Sequence, residues 1–230
     1  MFYKLYNEGL VSDVKKISTL NYGKFDIKAI KFVCTKKNII KNWEEISKTW
    51  IPAYHGTKFD YLESILKYGL KLPQTKLKNG TLTPKPIDIP LTDKVSGIKN
   101  WENAIFASPN LFYALDKRYS GTILENSFID YNAKLREMYY SPGPYDAKVV
   151  LLVKIKPNSF TKHKSKIIAK FHISHSYFVN NDFDINDIYR ISSENDIAVT
   201  SVIFMNYFIW KLSDSTKMEL SDKVLCLIKD

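Results

Sequence analysis

The pattern of apolar residues predicts an α+β fold, with helices early and strands late, from three observations. A helical stripe bounded by start and stop signals occupies residues 60–69, and a second helix start stands at Ser108-Pro109. The long runs rich in valine, isoleucine and phenylalanine fall after residue 147, at 148–155, 166–171 and 196–204. With 230 residues and 45% hydrophobic content, the chain fits one elaborated domain better than two small ones.

Taken in order, residues 1–48 mix short apolar runs such as 29–34 with lysine-rich stretches, and read as an N-terminal elaboration packed on a main domain of residues 49–230. An apolar strand leads into Tyr54-His55-Gly56-Thr57. In the next helix Asp60 is the expected N-cap, and Glu63, three residues on, would complete a capping box. Leu62, Ile65 and Leu66 share one face, and Gly69 is the expected stop. Residues 71–99, punctuated by Pro73, Pro84, Pro86, Pro90, Gly80 and Gly97, form a connection of a length that is usually functional or disordered. Residues 104–107 read as a buried strand. Ser108 then caps a helix with Pro109 at its first position and Leu111, Leu115 and Tyr119 on one stripe.

The excess of 34 basic over 24 acidic residues gives a net charge of +10, which favours encounter with acidic protein surfaces or nucleic acid. Part of it, Lys154, Lys156, Lys162, Lys164, Lys166 and Lys170, crowds into one stretch. Cys34 and Cys226 cannot supply a disulfide framework, so a reducing compartment, cytoplasmic or nuclear, is expected, with delivery into another cell left open. No apolar signal segment follows Met1, and no apolar run approaches the ~20 residues of a membrane span, so neither export nor membrane association is expected. His163, His172 and His175 lack a specified fourth ligand, Asp182 and Asp184 being undirected candidates, and no metal is expected.

The residues around His55 suggest chemistry. A histidine at a strand end can hydrogen-bond a ribose hydroxyl, and a following glycine lets backbone N–H and C=O approach a flat carboxamide. A hydroxyl at Ser108 could bind the same carboxamide, and a tyrosine ring could stack on a pyridinium cation. On an ideal helix Tyr113 and Tyr119, six residues apart, face sides differing by roughly 120°, so only one is expected to stack, Tyr113 being favoured.

Residues 51–71, an apolar strand, His-Gly-Thr, a helix and Gly69-Leu70, resemble the diphtheria-toxin and poly-ADP-ribose-polymerase branch of the ADP-ribosyltransferases. The likeness continues through Ala104-Ile105-Phe106-Ala107-Ser108-Pro109, Tyr113-Ala114 and Tyr119, and covers about two-thirds of the chain. It implies a split, mostly antiparallel β-sandwich with flanking helices, and NAD as substrate. NAD would be held by Tyr54, His55, Gly56, Thr57, Ser108 and Tyr113 or Tyr119, with His55 and Tyr113 also serving the reaction. The family's catalytic glutamate would fall on the late strand 187–191, where this chain has Asp187 or Ile188, with Glu194 downstream. An aliphatic residue there resembles mono-transferases or inactive members. The implied activity is mono-ADP-ribosylation of a macromolecular acceptor, a protein before nucleic acid. The alternatives are a silent NAD or ADP-ribose binding module and an RNA-end phosphotransferase-like enzyme, the last disfavoured by its scattered arginines, Arg118, Arg136 and Arg190.

Overall fold

A computed structural model of the chain describes residues 7–22, 25–34, 42–84, 97–115, 119, 120, 122, 123, 147–164 and 187–206. The fold is mixed, with few helices and two antiparallel sheets. The larger, six-stranded sheet has the order β1 (Val11–Tyr22), β2 (Phe25–Cys34), β9 (Ile197–Asn206), β6 (Ala147–Ile155), β3 (Ile51–Gly56), with β5 (Thr122–Ile123) also paired to β6. The smaller, three-stranded sheet runs β4 (Ile105–Ala107), β8 (Asp187–Ile191), β7 (Phe160–Lys164). Among the described residues the α-helices are α1 (Trp43–Thr49), α2 (Leu62–Tyr68) and α3 (Leu111–Leu115).

β6 alternates core and partner faces, placing Val149, Leu151, Val153 and Ile155 on the core side. Its partner β9 keeps Val199, Val202 and Phe204 in the same core although 199 and 202 differ in parity. A bulge reconciles them: Leu152 pairs with Ser201 and Val153 with Val199, so Thr200 is the extra residue. Its hydroxyl donates to the Leu152 carbonyl at 3.0 Å. Ile105, Ala107, Tyr189 and Ile191 of the smaller sheet enter the same cluster, so both sheets face one core.

The N-terminal strands are built into the sheet rather than laid against it. β2 pairs with β9 from Ala29↔Met205 to Val33↔Ser201, and Phe32 sets its ring edge-on to Phe204 at 5.8 Å. Local helix chemistry also departs from expectation. Asp60 lies inside a 3-10 turn, Phe59–Tyr61, and no side chain caps α2; Glu63 instead accepts from Lys67 at 2.8 Å. Gly69 ends the helix as expected, with φ 77° and its N–H on the Ile65 carbonyl at 2.8 Å. α3 starts two residues later than the Ser-Pro signal suggests, with the Asn110 side chain accepting from the Tyr113 N–H at 3.3 Å. The strand expected at 166–171 lies outside the described residues, whereas β7 carried no recognised signal.

Because Phe32 belongs to the common core, Phe32→Ala should destabilise the whole domain by about 3–5 kcal/mol in a single denaturant transition. A loss below about 1 kcal/mol would mark the N-terminal pair as peripheral.

Candidate functional site

The site begins where the two sheets touch. At the edge of the larger sheet, the Tyr54 N–H donates to the Ser108 carbonyl at 2.8 Å, and the Ser108 N–H donates back to Tyr54 at 3.0 Å. Tyr54 therefore turns both backbone groups away from β6. In an antiparallel pair that orientation repeats every second residue, so Gly56 presents its own N–H and C=O to the same side. Thr57 turns back, donating its N–H to the Val149 carbonyl at 3.4 Å. The result is an adjacent donor and acceptor on an edge that opens into a cavity of about 490 Å³.

His55 sits on that cavity, and its Nδ1–H donates to the Phe106 carbonyl at 2.7 Å. The bond fixes the tautomer, leaving Nε2 as the acceptor of the neutral ring. Burial lowers the pKa of His55 below the ordinary 6.5, and the bond to Phe106, which acts in the opposite sense, offsets this only in part. The ring is thus neutral and suited to accept from a hydroxyl.

Behind the glycine stands α3. A Cβ built on Gly56 would collide with the Ala114 carbonyl oxygen and come within 2.9 Å of the Tyr119 Cβ. Close approach of α3 thus demands glycine independently of any ligand. It also brings Tyr113 and Tyr119 together, their rings 4.8 Å apart and tilted by 37°, with the Tyr113 hydroxyl donating to that of Tyr119 at 3.1 Å. Tyr119 stands in a turn rather than on a continuous helix, so the separation expected on an ideal helix does not apply. Both tyrosines line the cavity, as do Tyr54 and Thr57.

Ser108 is placed differently. It is buried, and its hydroxyl donates to the Asp187 carbonyl at 2.8 Å while accepting from the Asn110 N–H at 3.1 Å. Those bonds hold the inter-sheet bridge, and the buried residue is not among those lining the cavity.

Neither expected carboxylate lines the cavity beside His55. Along β8 side chains alternate, so Asp187 faces away from the tyrosines and pairs with Lys164 at 2.7 Å, while Ile188 packs against Tyr113 with Phe106 and Tyr119 around them. Glu194 lines a neighbouring cavity of about 440 Å³. Burial pushes its pKa up, but the Lys71 ammonium, the Leu72 N–H and the Thr75 hydroxyl outweigh that and hold it below the ordinary 4.5.

Two contributors were present in the sequence reading without a place in the site. Phe106 supplies the carbonyl that orients His55 and also lines the cavity; its place in the strand block 104–107 just before Ser108 was the available signal. Part of the long connection returns as a wall: Pro73, Leu77, Thr81, Leu82 and Thr83 border the cavity.

The basic stretch is largely engaged where it is described. Lys154 donates to the Ser47 and Trp50 carbonyls at the end of α1, both at 3.2 Å, and Lys156 lies 4.0 Å from Asp196. Lys166, Lys170, His172, His175, Asp182, Asp184, Arg118 and Arg136 lie outside the described residues. His163 packs edge-on to Trp101 at 4.5 Å, and no metal-holding group of three or more side chains occurs among the described residues. No helix among them is long and apolar enough to cross a membrane.

The neutral His55 has a consequence for stability. Its folded pKa lies below the unfolded value, so its contribution is complete above about pH 6.5 and is lost as pH falls through the folded value. His163 is lowered too, by burial and by Arg190, so the comparison must be differential. Urea midpoints from about pH 7.5 down to about pH 5 should fall less steeply for His55→Gln than for wild type. Equal slopes would mean that His55 does not titrate differently on unfolding.

Comparison with protein-family models gives no match, and comparison with curated proteins gives none either, so what the cavity does is argued from its own geometry.

Proposed function

We propose that the cavity binds NAD and that the protein transfers a single ADP-ribose to a macromolecular acceptor. The observation that carries this reading is the backbone edge of Gly56 opening beside His55 and the tyrosine pair in one cavity. A carboxamide offers the acceptor and donor that match the N–H and C=O of this edge. The aromatic rings suit the cationic pyridinium attached to it, and the Nε2 of neutral His55 can accept from a ribose hydroxyl. Two antiparallel sheets meeting at Tyr54 and Ser108 support placing the chain on the split β-sandwich of ADP-ribosyltransferases.

In the proposed reaction the bond between nicotinamide and ribose breaks, nicotinamide leaves with the bonding pair, and a nucleophile on the acceptor attacks the cationic anomeric carbon. The protein contributes by positioning. Chain elongation would also need a group to activate an incoming ribose hydroxyl, and Ile188 against Tyr113 cannot supply one. The acceptor is a protein with an acidic surface, favoured by the net charge of +10, with nucleic acid the alternative.

The same isoleucine favours a second reading, a silent NAD or ADP-ribose binding module. Among the described residues lining the cavity, Asp60 is the one carboxylate, and it is exposed. An exposed carboxylate stabilises a developing cation weakly in water.

NAD at about a hundred times its Kd should stabilise the fold by about 2.7 kcal/mol, read as a thermal shift with matching calorimetric heat. His55→Ala should lose that shift while melting cooperatively; a variant that melts lower yet binds NAD normally would make the histidine structural only. In a lysate given tagged NAD, mass spectrometry of labelled acceptors should find single ADP-ribose units. Ladders of units would refute single transfer, and no label at all would favour the binding module.

A further inference from the structure

Glu194 sits between β8 and β9, outside the cavity, yet its carboxylate gathers residues 71–75 at the foot of one cavity wall. Oε2 accepts from the Lys71 ammonium at 2.7 Å, and Oε1 accepts from the Leu72 N–H at 2.9 Å and the Thr75 hydroxyl at 3.2 Å. These are charge-assisted bonds at partly buried positions, stronger than neutral ones.

What they hold is a small self-bonded hairpin. Lys76 bridges to Leu82, the Leu77 N–H donates to Thr81 at 2.8 Å, and the Thr83 N–H donates to Thr75 at 2.9 Å. The Thr83 hydroxyl donates to the Leu72 carbonyl at 2.7 Å and accepts from the Thr75 N–H at 2.8 Å. The unit is closed within itself, so its placement depends on where its first residues are tied. Leu72 packs against the main core, while Leu82, farther along, is 62% exposed. So short a hairpin is marginal on its own in water, so its internal bonds and its placement depend together on that tie.

We propose that Glu194 is a positioning residue that docks the 72–83 hairpin as a wall of the ligand cavity and thereby sets ligand affinity. The claim about affinity rests on the NAD reading above; the docking does not. Lys71 belongs to both parts, since it lines the cavity and is also held by Glu194 on the side of the neighbouring cavity. The carboxylate that sequence position suggested for chemistry acts on the walls, through Lys71, Leu72 and Thr75.

The test compares wild type, Glu194→Ala and Glu194→Gln by amide hydrogen exchange and by NAD titration. The alanine variant should release protection by tenfold or more (about 1.4 kcal/mol) at 72–83 only, leaving β3, β6 and β9 protected. It should also weaken NAD binding by about tenfold, with the rate of bound NAD turnover unchanged where turnover occurs. Glutamine keeps an acceptor for Leu72 and Thr75 but loses the charge, and should fall between the two. If the alanine variant fails to fold, Glu194→Gln and Thr75→Val, which each remove part of the tie, carry the same comparison. Unchanged exchange at 72–83, or a released hairpin with wild-type NAD affinity, would overturn the proposal. Wild-type protein that binds no NAD would sink the reading of the preceding subsection alone, and the docking would then be decided by exchange.

Discussion

Two backbone hydrogen bonds between Tyr54 and Ser108 organise this molecule. Each sheet carries its own ladder, but the bridge makes the edge of one continue into the flank of the other. By engaging Tyr54 it also decides which way Gly56 faces, because the direction of backbone groups alternates along a strand. Side chains hold the bridge from behind: the Ser108 hydroxyl, tied to the Asp187 carbonyl and the Asn110 N–H, fixes the backbone that pairs with Tyr54. The same hydroxyl therefore links β8, the start of α3 and the cavity edge.

Gly56 meets two demands at one position. Towards α3, the Ala114 carbonyl excludes a Cβ; towards the cavity, the backbone is presented without a side chain in the way. The first demand would keep a glycine here even in a protein with no ligand, and it explains why Tyr113 and Tyr119 come so near the strand end. Packing and recognition are thus coupled through the same atom vacancy. A change that moved α3 would shift both the aromatic pair and the room around the backbone edge.

Much of this was legible where the cause is local. β6 and β9 follow from β-branched and aromatic runs, Gly69 stops α2 because its φ is positive, and His-Gly-Thr marked the right strand end. What depends on distant partners was not legible. The pairing of β2 with β9 joins residues 29–33 to 201–205, and no local pattern specifies it. Ser108 was expected to meet a ligand, and its bonds to Asp187 and Asn110 have no local signature. Tyr113 and Tyr119 were separated by assuming one continuous helix, whereas a turn at Tyr119 reunites them. The choice between Asp187 and Ile188 stayed open in the sequence for a simpler reason: a strand's alternation sends them to opposite faces, and which face meets the tyrosines is set by the sheet, not by the residue.

The chemistry available to the cavity follows from which charges are absent from its interior. His55 is kept neutral by burial, Ile188 packs against Tyr113 and puts an apolar side chain there, and Lys71 is already paired with Glu194. A fixed positive group near the rings would repel a pyridinium, so a neutral histidine suits ground-state binding of NAD better than a charged one. On the proposed reading, the positive charge moves to the ribose once nicotinamide departs, and no buried carboxylate among the described cavity residues stands there to meet it. Stabilisation of that cation then falls to aromatic faces, which act weakly and without direction, or to a group brought by the acceptor. On the proposed reading, an acceptor bearing its own carboxylate supplies the missing charge at the moment it is needed. The net positive charge of the protein, unsuited to stabilising a cation, is suited to gathering such an acceptor.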